Sequence, residues 1–160
     1  MTPSDRILAL LSGHGADFRI LDHPEARSAP EAAAARGTPL RIGGKSLVMK
    51  LDRGIGFALL VVGGDRQVDN RLLRAHLRVR RYRFATTEEL LRHTGLTPGC
   101  VPPFGRPVFD LPLYVDEQRA CLPRIAFSLG SHTRSVIMDT ADWLAIARPA
   151  EVFSLSRPGS

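Results

Sequence analysis

Cysteine, lysine and aromatic residues are all scarce in this chain of 160 residues. The two cysteines, Cys100 and Cys121, form no C-x-x-C pair and no metal-ligand spacing with histidine. That excludes a disulfide scaffold and gives no sign of an oxidising compartment. The five histidines, at 14, 23, 76, 93 and 132, never fall into H-x-x-x-H spacing, so neither a metal nor any other cofactor is expected. Aromatics make up 6%, too few to form an evident stacking platform for single-stranded nucleic acid. No apolar run approaches the roughly 18 residues of a membrane span. The longest, residues 55–62, is broken by Gly56 and reads as a buried strand. The first five residues carry neither a basic region nor an apolar core, so no secretory signal is read and a cytoplasmic location is expected.

Familiar catalytic signatures are missing too. There is no G-x-S-x-G nucleophile elbow and no G-x-G-x-x-G fingerprint. Gly43-Gly44-Lys45-Ser46 looks like the end of a phosphate loop but lacks the earlier glycine, and the apolar residues after it alternate as in a strand.

What remains is ordinary for a globular protein: 44% hydrophobic and 24% charged residues. The length fits one domain over 1–160, with its core at about 5–153. The net charge is +6, and of the 22 basic residues only Lys45 and Lys50 are lysines. A basic balance favours an anionic partner such as nucleic acid, although solubility alone is the plainer explanation.

Ser4 and Asp5 can cap a first helix, and residues 18–21 read as a short strand. Ser28 can cap an Ala-rich helix over 29–36, closed by Gly37. Residues 42–51 and 55–62 alternate as two strands around the Asp52-Arg53-Gly54 turn. Asp69 caps a helix to Leu77, 82–85 is a strand, and Thr86 with Glu89 forms a capping box for a helix ending at Gly95. Residues 97–107 hold four prolines and two glycines and cannot be regular structure. Strands at 113–115, 125–129 and 135–138, a helix from Asp139 or Thr140, a short strand at 152–153 and a frayed tail from Ser156 complete the chain. The expected class is α/β or α+β around one mixed sheet.

Four places carry chemistry. Lys45 shares a strand face with Leu47, Met49 and Leu51, and a cation in that row must snorkel to water or meet an anion or a carbonyl oxygen. The run Gly99-Cys100-Val101-Pro102-Pro103-Phe104-Gly105 is stiffened by prolines and can aim the N–H groups of Gly99, Cys100 and Val101 at an oxyanion. Gly130-Ser131-His132 brings a flexible glycine, a hydroxyl and an imidazole. Arg71, Arg74, Arg78, Arg80, Arg81 and Arg83 put six arginines into thirteen residues around His76 and Tyr82. Each has a plainer reading: a snorkelling lysine, a rigid turn, surface decoration, a solvated basic face.

In this order the pieces resemble the YbaK/prolyl-tRNA-synthetase-associated, ProX-like editing domains. The resemblance rests on His23-Pro24 before an Ala-rich helix, Gly44-Lys45-Ser46-Leu47-Val48, Gly63-Gly64-Asp65, Val68-Asp69, Glu88-Glu89-Leu90, Thr94-Gly95, the 99–105 run and Gly130-Ser131-His132. It implies a strongly twisted, mixed, partly barrel-like sheet flanked by helices. It implies a trans-acting deacylase that hydrolyses the ester of mischarged tRNA, commonly tRNA(Pro) carrying Ala, Cys or another small amino acid, while other members clear different amino acids. An aminoacyl-tRNA synthetase is a further expected partner, and no membrane is. The family's essential lysine falls on Lys45 and its G-x-x-x-P loop on Gly99 to Pro103. On this reading Lys45 and the N–H groups of Gly99, Cys100 and Val101 are catalytic. Ser46, Pro102, Pro103, Gly130, Ser131 and His132 bind substrate, and Arg74, Arg78, Arg80 and Arg81 hold the tRNA. In alanine-clearing members an Asn follows the lysine, whereas Ser46 follows here; the glycine-x-histidine at 130–132 is similar to theirs. The alternatives are a non-catalytic tRNA- or synthetase-binding module on the same fold, and a general nucleic-acid-binding protein driven by the arginines.

Overall fold

The computed structural model describes residues 1–159. Along the chain, α1 (Pro3–Gly13) and β1 (Phe18–Asp22) precede α2 (Ala29–Arg36), a 3-10 turn at Leu40–Ile42, β2 (Gly44–Leu51) and β3 (Gly56–Gly63). Then come β4 (Arg66–Val68), α3 (Asn70–Leu77), β5 (Tyr82–Phe84), α4 (Thr87–Thr94), β6 (Leu113–Asp116) and α5 (Glu117–Ala120). The chain finishes with β7 (Arg124–Ser128), β8 (Arg134–Asp139), α6 (Thr140–Ala147), β9 (Glu151–Phe153) and β10 (Ser156–Pro158).

The two-residue period of β2 and β3 organises the molecule. Val48, Leu59 and Val61 enter one core with Phe104, Phe127, Met138 and Trp143, while Met49, Leu60 and Val62 enter a second core with Leu73, Val79 and Leu155. A strand buried on both faces needs near-continuous apolar sequence, which β3 supplies. The turn between the two strands works because Arg53 and Gly54 both adopt positive φ, as a tight two-residue hairpin requires.

The strands form a five-stranded mixed sheet in the order β5-β2-β3-β6-β9, a three-stranded sheet β1-β8-β7 and a two-stranded ribbon β10-β4. β6 runs parallel to β3 and β9 parallel to β6, and the other pairs are antiparallel. A single parallel bridge, Gly43 to Ala126, connects the two larger sheets at the start of β2. The fold is therefore α+β, mixed and helix-flanked as expected, but the sheet divides in three and no closed barrel forms among the described residues.

Two local expectations change, and two short elements are added. The cap of α1 is Thr2, in a reciprocal box with Asp5, because Ser4 Oγ donates instead to Leu129 O at 2.7 Å. β4 and α5 are too short to leave a periodic pattern in sequence. The tail is a strand over Ser156–Pro158, held to β4 by pairing that sequence alone does not announce; Ser160, also assigned to that tail, lies outside the described residues. No helix among the described residues is long and apolar enough to cross a membrane.

Candidate active site

A cavity of about 240 Å³ opens where α2, the 3-10 turn and the first residues of β2 face the start of the proline-stiffened loop. It exists because small residues meet there. α2 presents Ala29, Ala32 and Ala33 to it, which leaves room where longer side chains would fill the space. The 3-10 turn lies hard against Gly64, and a side chain on that glycine would collide with the Leu40 carbonyl. Gly64 N–H also donates to Gly43 O at 2.9 Å, so the two glycine-bearing turns close on one another beside Lys45.

Lys45 and Ser46, the second and third residues of β2, both line the cavity. Lys45 meets a carbonyl oxygen: its Nζ donates to Arg66 O at 2.5 Å. That carbonyl is itself fixed. Arg66 Nε donates to Ser156 Oγ at 2.6 Å, and Ser156 Oγ donates to Asp116 Oδ2 at 2.5 Å. Asp116 is fully buried and also accepts the Leu155 N–H at 3.0 Å. The C-terminal strand thus clamps β4, and β4 holds the lysine. An ammonium has three protons, so two remain for a ligand. Burial holds Lys45 below the usual lysine value, and Asp65 pulls it partly back up. The Ser46 hydroxyl is buried and has no hydrogen-bond partner among the described residues.

Gly99 and Val101 also line the cavity. Gly99 has φ +86°, and a Cβ there would press on Arg27 O and His132 Nε2, both at 3.2 Å, so this position needs glycine. Their two N–H groups donate to no other described backbone group, but the Cys100 N–H, expected to be free, is held by Thr97 O at 3.2 Å.

The rest of the expected substrate-binding set lies next to the cavity lining rather than in it. Pro102 and Pro103 are buried, and Pro103 O accepts Trp143 Nε1 at 2.9 Å. Gly130 N–H donates to Cys100 O at 3.0 Å. Ser131 closes its own turn on Thr133. His132 Nε2 donates to Pro98 O at 2.9 Å, and His132 O accepts Ala26 N–H at 2.9 Å. None of these five residues lines the cavity; they brace the loop that does. The imidazole is drawn to a loop carbonyl that no described backbone N–H pairs, which a sequence cannot place.

Arg74, Arg78, Arg80 and Arg81 are exposed and lie outside the cavity. Asp52 accepts the main-chain N–H groups of Arg80 and Arg81 at 3.0 and 2.9 Å, which places both at the hairpin end of β2, about 20 Å from Lys45 at the usual strand rise. α3 begins directly after β4, so the basic strip starts beside the lysine's anchor and runs away from it.

Arg36, Arg27, Ser28 and Ser128 line the cavity although their sequence positions give no hint of it. The lining holds three cations and no carboxylate. Among the described residues no group of three or more His, Cys, Asp or Glu gathers as a metal site.

Comparison with known proteins identifies the family. The family model for the aminoacyl-tRNA editing domain matches residues 23–146. The chain is 36% identical over 151 residues, 90% of its length and 87% of the relative's, to the multifunctional Ser/Thr-tRNA deacylase ProXp-y of Escherichia coli strain K12. It is 32% identical over 103 residues, 64% of this chain and 18% of the relative, to a proline–tRNA ligase of Shouchella clausii strain KSM-K16. A solved structure proposed as a trans-editing enzyme for prolyl tRNA synthetase superposes with a TM-score of 0.80 at 26% identity, covering 98% of both chains. The chain belongs to the aminoacyl-tRNA editing domain family and is an aminoacyl-tRNA hydrolase of that family.

Proposed function

We propose that the protein acts in trans on tRNA mischarged with a small hydroxyl-bearing amino acid, serine or threonine, and that Lys45 with the main chain of Gly99 and Val101 stabilises the reacting ester. One observation carries this reading. A half-buried ammonium with two protons unused by the fold lines the same small cavity as Gly99 and Val101, whose N–H groups donate to no described backbone group.

An aminoacyl ester is already activated, so no protein nucleophile is needed. Water adds to the carbonyl carbon, negative charge develops on the carbonyl oxygen, and donors fixed beforehand at that point lower the barrier. The C–O bond to the ribose then breaks, and the departing ribose oxygen takes a proton. The Arg66–Ser156–Asp116 clamp holds the ammonium ready, so little reorganisation accompanies the step.

The unpartnered Ser46 hydroxyl supports the choice of amino acid. A substrate hydroxyl gives it a partner, whereas an alanine methyl leaves it buried and unpaired, which costs about 1–3 kcal/mol. The name of the Escherichia coli relative points the same way. A second reading, tRNA(Pro) carrying alanine or cysteine, is favoured by the likeness to a proline–tRNA ligase. The arginines of α3 and the segment after it are proposed to receive the acceptor stem.

The test is a deacylation panel: purified protein against tRNAs charged with serine, threonine, alanine and cysteine, with Lys45→Ala beside the wild type. The expected order is serine and threonine first, with the variant nearly inactive on all. No turnover of any ester would leave the non-catalytic binding module in its place.

A further inference from the structure

Two arginines are buried deeply enough that each guanidinium is held down to about 10 by desolvation, yet they differ in what they touch. Arg119 is fully buried, and its two Nη atoms donate to Arg41 O, Arg124 O and Thr140 Oγ1. Those carbonyls belong to the fold, so Arg119 ties the 3-10 turn to β7 and α6. Arg36 has no such set. Its Nε donates to Ser135 Oγ at 2.9 Å, Nη2 reaches only a long 3.5 Å contact with Ser128 Oγ, and no carboxylate pairs with it among the described residues. Nη1 has no hydrogen-bond partner among the described residues, and Arg36 lines the cavity. Gly43, also on the lining, leaves Nη1 bare: a Cβ there would stand 3.7 Å from it.

The orientation of Arg36 is set from behind. His23 Nδ1 donates to Pro24 O at 2.9 Å, which leaves Nε2 as an acceptor for the Ser135 hydroxyl at 2.8 Å. Ser135 Oγ is thereby turned to receive Arg36 Nε–H. The guanidinium plane is fixed, and its outer fork is open.

Charge then selects the ligand. An aminoacyl ester brings no anion of its own to pair with the Arg36 guanidinium. The anionic part of the same substrate is the phosphate backbone at the tRNA's 3′ end. We infer that Arg36 is a phosphate-binding residue that grips the phosphate on the 5′ side of the terminal adenosine, and so sets how far the ester reaches toward Lys45. This rests on reading the cavity as the editing site. The planar fork suits paired phosphate oxygens, which lysine cannot match.

The experiment measures binding rather than turnover, with adenosine 5′-monophosphate as the probe and adenosine and inorganic phosphate as separate arms. Wild type is expected to bind the monophosphate at least tenfold more tightly than either arm. Arg36→Gln should remove that advantage while leaving adenosine binding unchanged, and Arg36→Lys should recover only part of it. Arg53→Gln, which removes one exposed charge at the hairpin turn, should bind as wild type. If Arg36→Gln does not fold, the wild type still decides: the Arg36 Nε–H resonance should shift with the monophosphate and stay with adenosine. Equal binding of monophosphate and adenosine, an unshifted resonance, or a folded Arg36→Gln within twofold of wild type would overturn the assignment. Inorganic phosphate binding as tightly as the monophosphate would overturn it as a nucleotide site. Phosphate-selective binding without deacylation of any mischarged tRNA would sink the hydrolase reading and leave this one standing.

Discussion

The two ends of β2 are both basic, and they treat their charges in opposite ways. At the hairpin end the arginines are solvated and the neighbouring acids already have partners: Asp52 receives the main chain of Arg80 and Arg81, and Glu89 is bonded twice by Arg83. At the cavity end Arg36 and Lys45 are partly withdrawn from water with no carboxylate in direct contact among the described residues, and only Lys45 feels one nearby, Asp65. An ion pair on the surface is worth little because water competes for both partners. An unpaired cation in a recess is costly to the fold, which makes it a marker of a ligand. Counting arginines in the sequence finds the first end; chemistry collects at the second.

Breaking the cavity end should have the largest effect. Lys45→Ala is expected to lower deacylation about 10²–10³-fold, the usual loss for one oxyanion-type contact, while circular dichroism and the melting temperature stay near wild type. A variant that turns over normally would remove the lysine from the mechanism.

Loosening its anchor comes next. Ser156→Ala deprives the buried Asp116 carboxylate of a donor and Arg66 of an acceptor, and should cost about 1–3 kcal/mol in urea unfolding. The distinguishing readout is kcat, which should fall while KM stays, because the ammonium loses its fixed position. Ser156→Thr, which keeps the hydroxyl, should restore most of it.

The hairpin end should respond more weakly and differently. Arg80→Gln combined with Arg81→Gln should raise KM for full-length charged tRNA a few-fold and flatten its salt dependence, with kcat unaltered. An unchanged salt slope would mean that these arginines do not meet tRNA.

The smallest effect concerns Glu89. Two bonds from Arg83, together with the Thr86 cap, hold its carboxyl at about 2. A depressed carboxyl stabilises the fold above its unfolded value, near 4.5, and the benefit disappears as pH falls toward 2. The melting-temperature difference between wild type and Glu89→Gln should therefore be present at pH 7 and vanish between pH 4.5 and 2. A difference that persists at pH 2 would assign it to packing rather than charge.

Much of the frame was legible because its signals are local. Ser28, Asp69 and Thr86 accept the N–H groups that their positions ahead of apolar helices led one to expect. The alternation of β2 and β3, with Asp52-Arg53-Gly54 between them, fixes the central hairpin and puts Lys45 at its end. Arg36 was hidden because nothing around it in sequence differs from any arginine closing a helix. It matters only because Ser135, 99 residues away, turns it toward a space that Gly43 leaves open. His132 shows the same limit from the other side: its motif is visible in sequence, but the bond of its ring to Pro98 O is not.

Sequence by itself determined the period of the strands, the helix ends, the stiffness of the proline loop and the family to which the ordered motifs belong. Those follow from dihedral preference and from patterns a few residues long. Only the tertiary structure decided which cations lose their water, which N–H groups stay unused, and that the final strand anchors the lysine. Each of these depends on desolvation and on partners brought together across the fold, which no local pattern encodes.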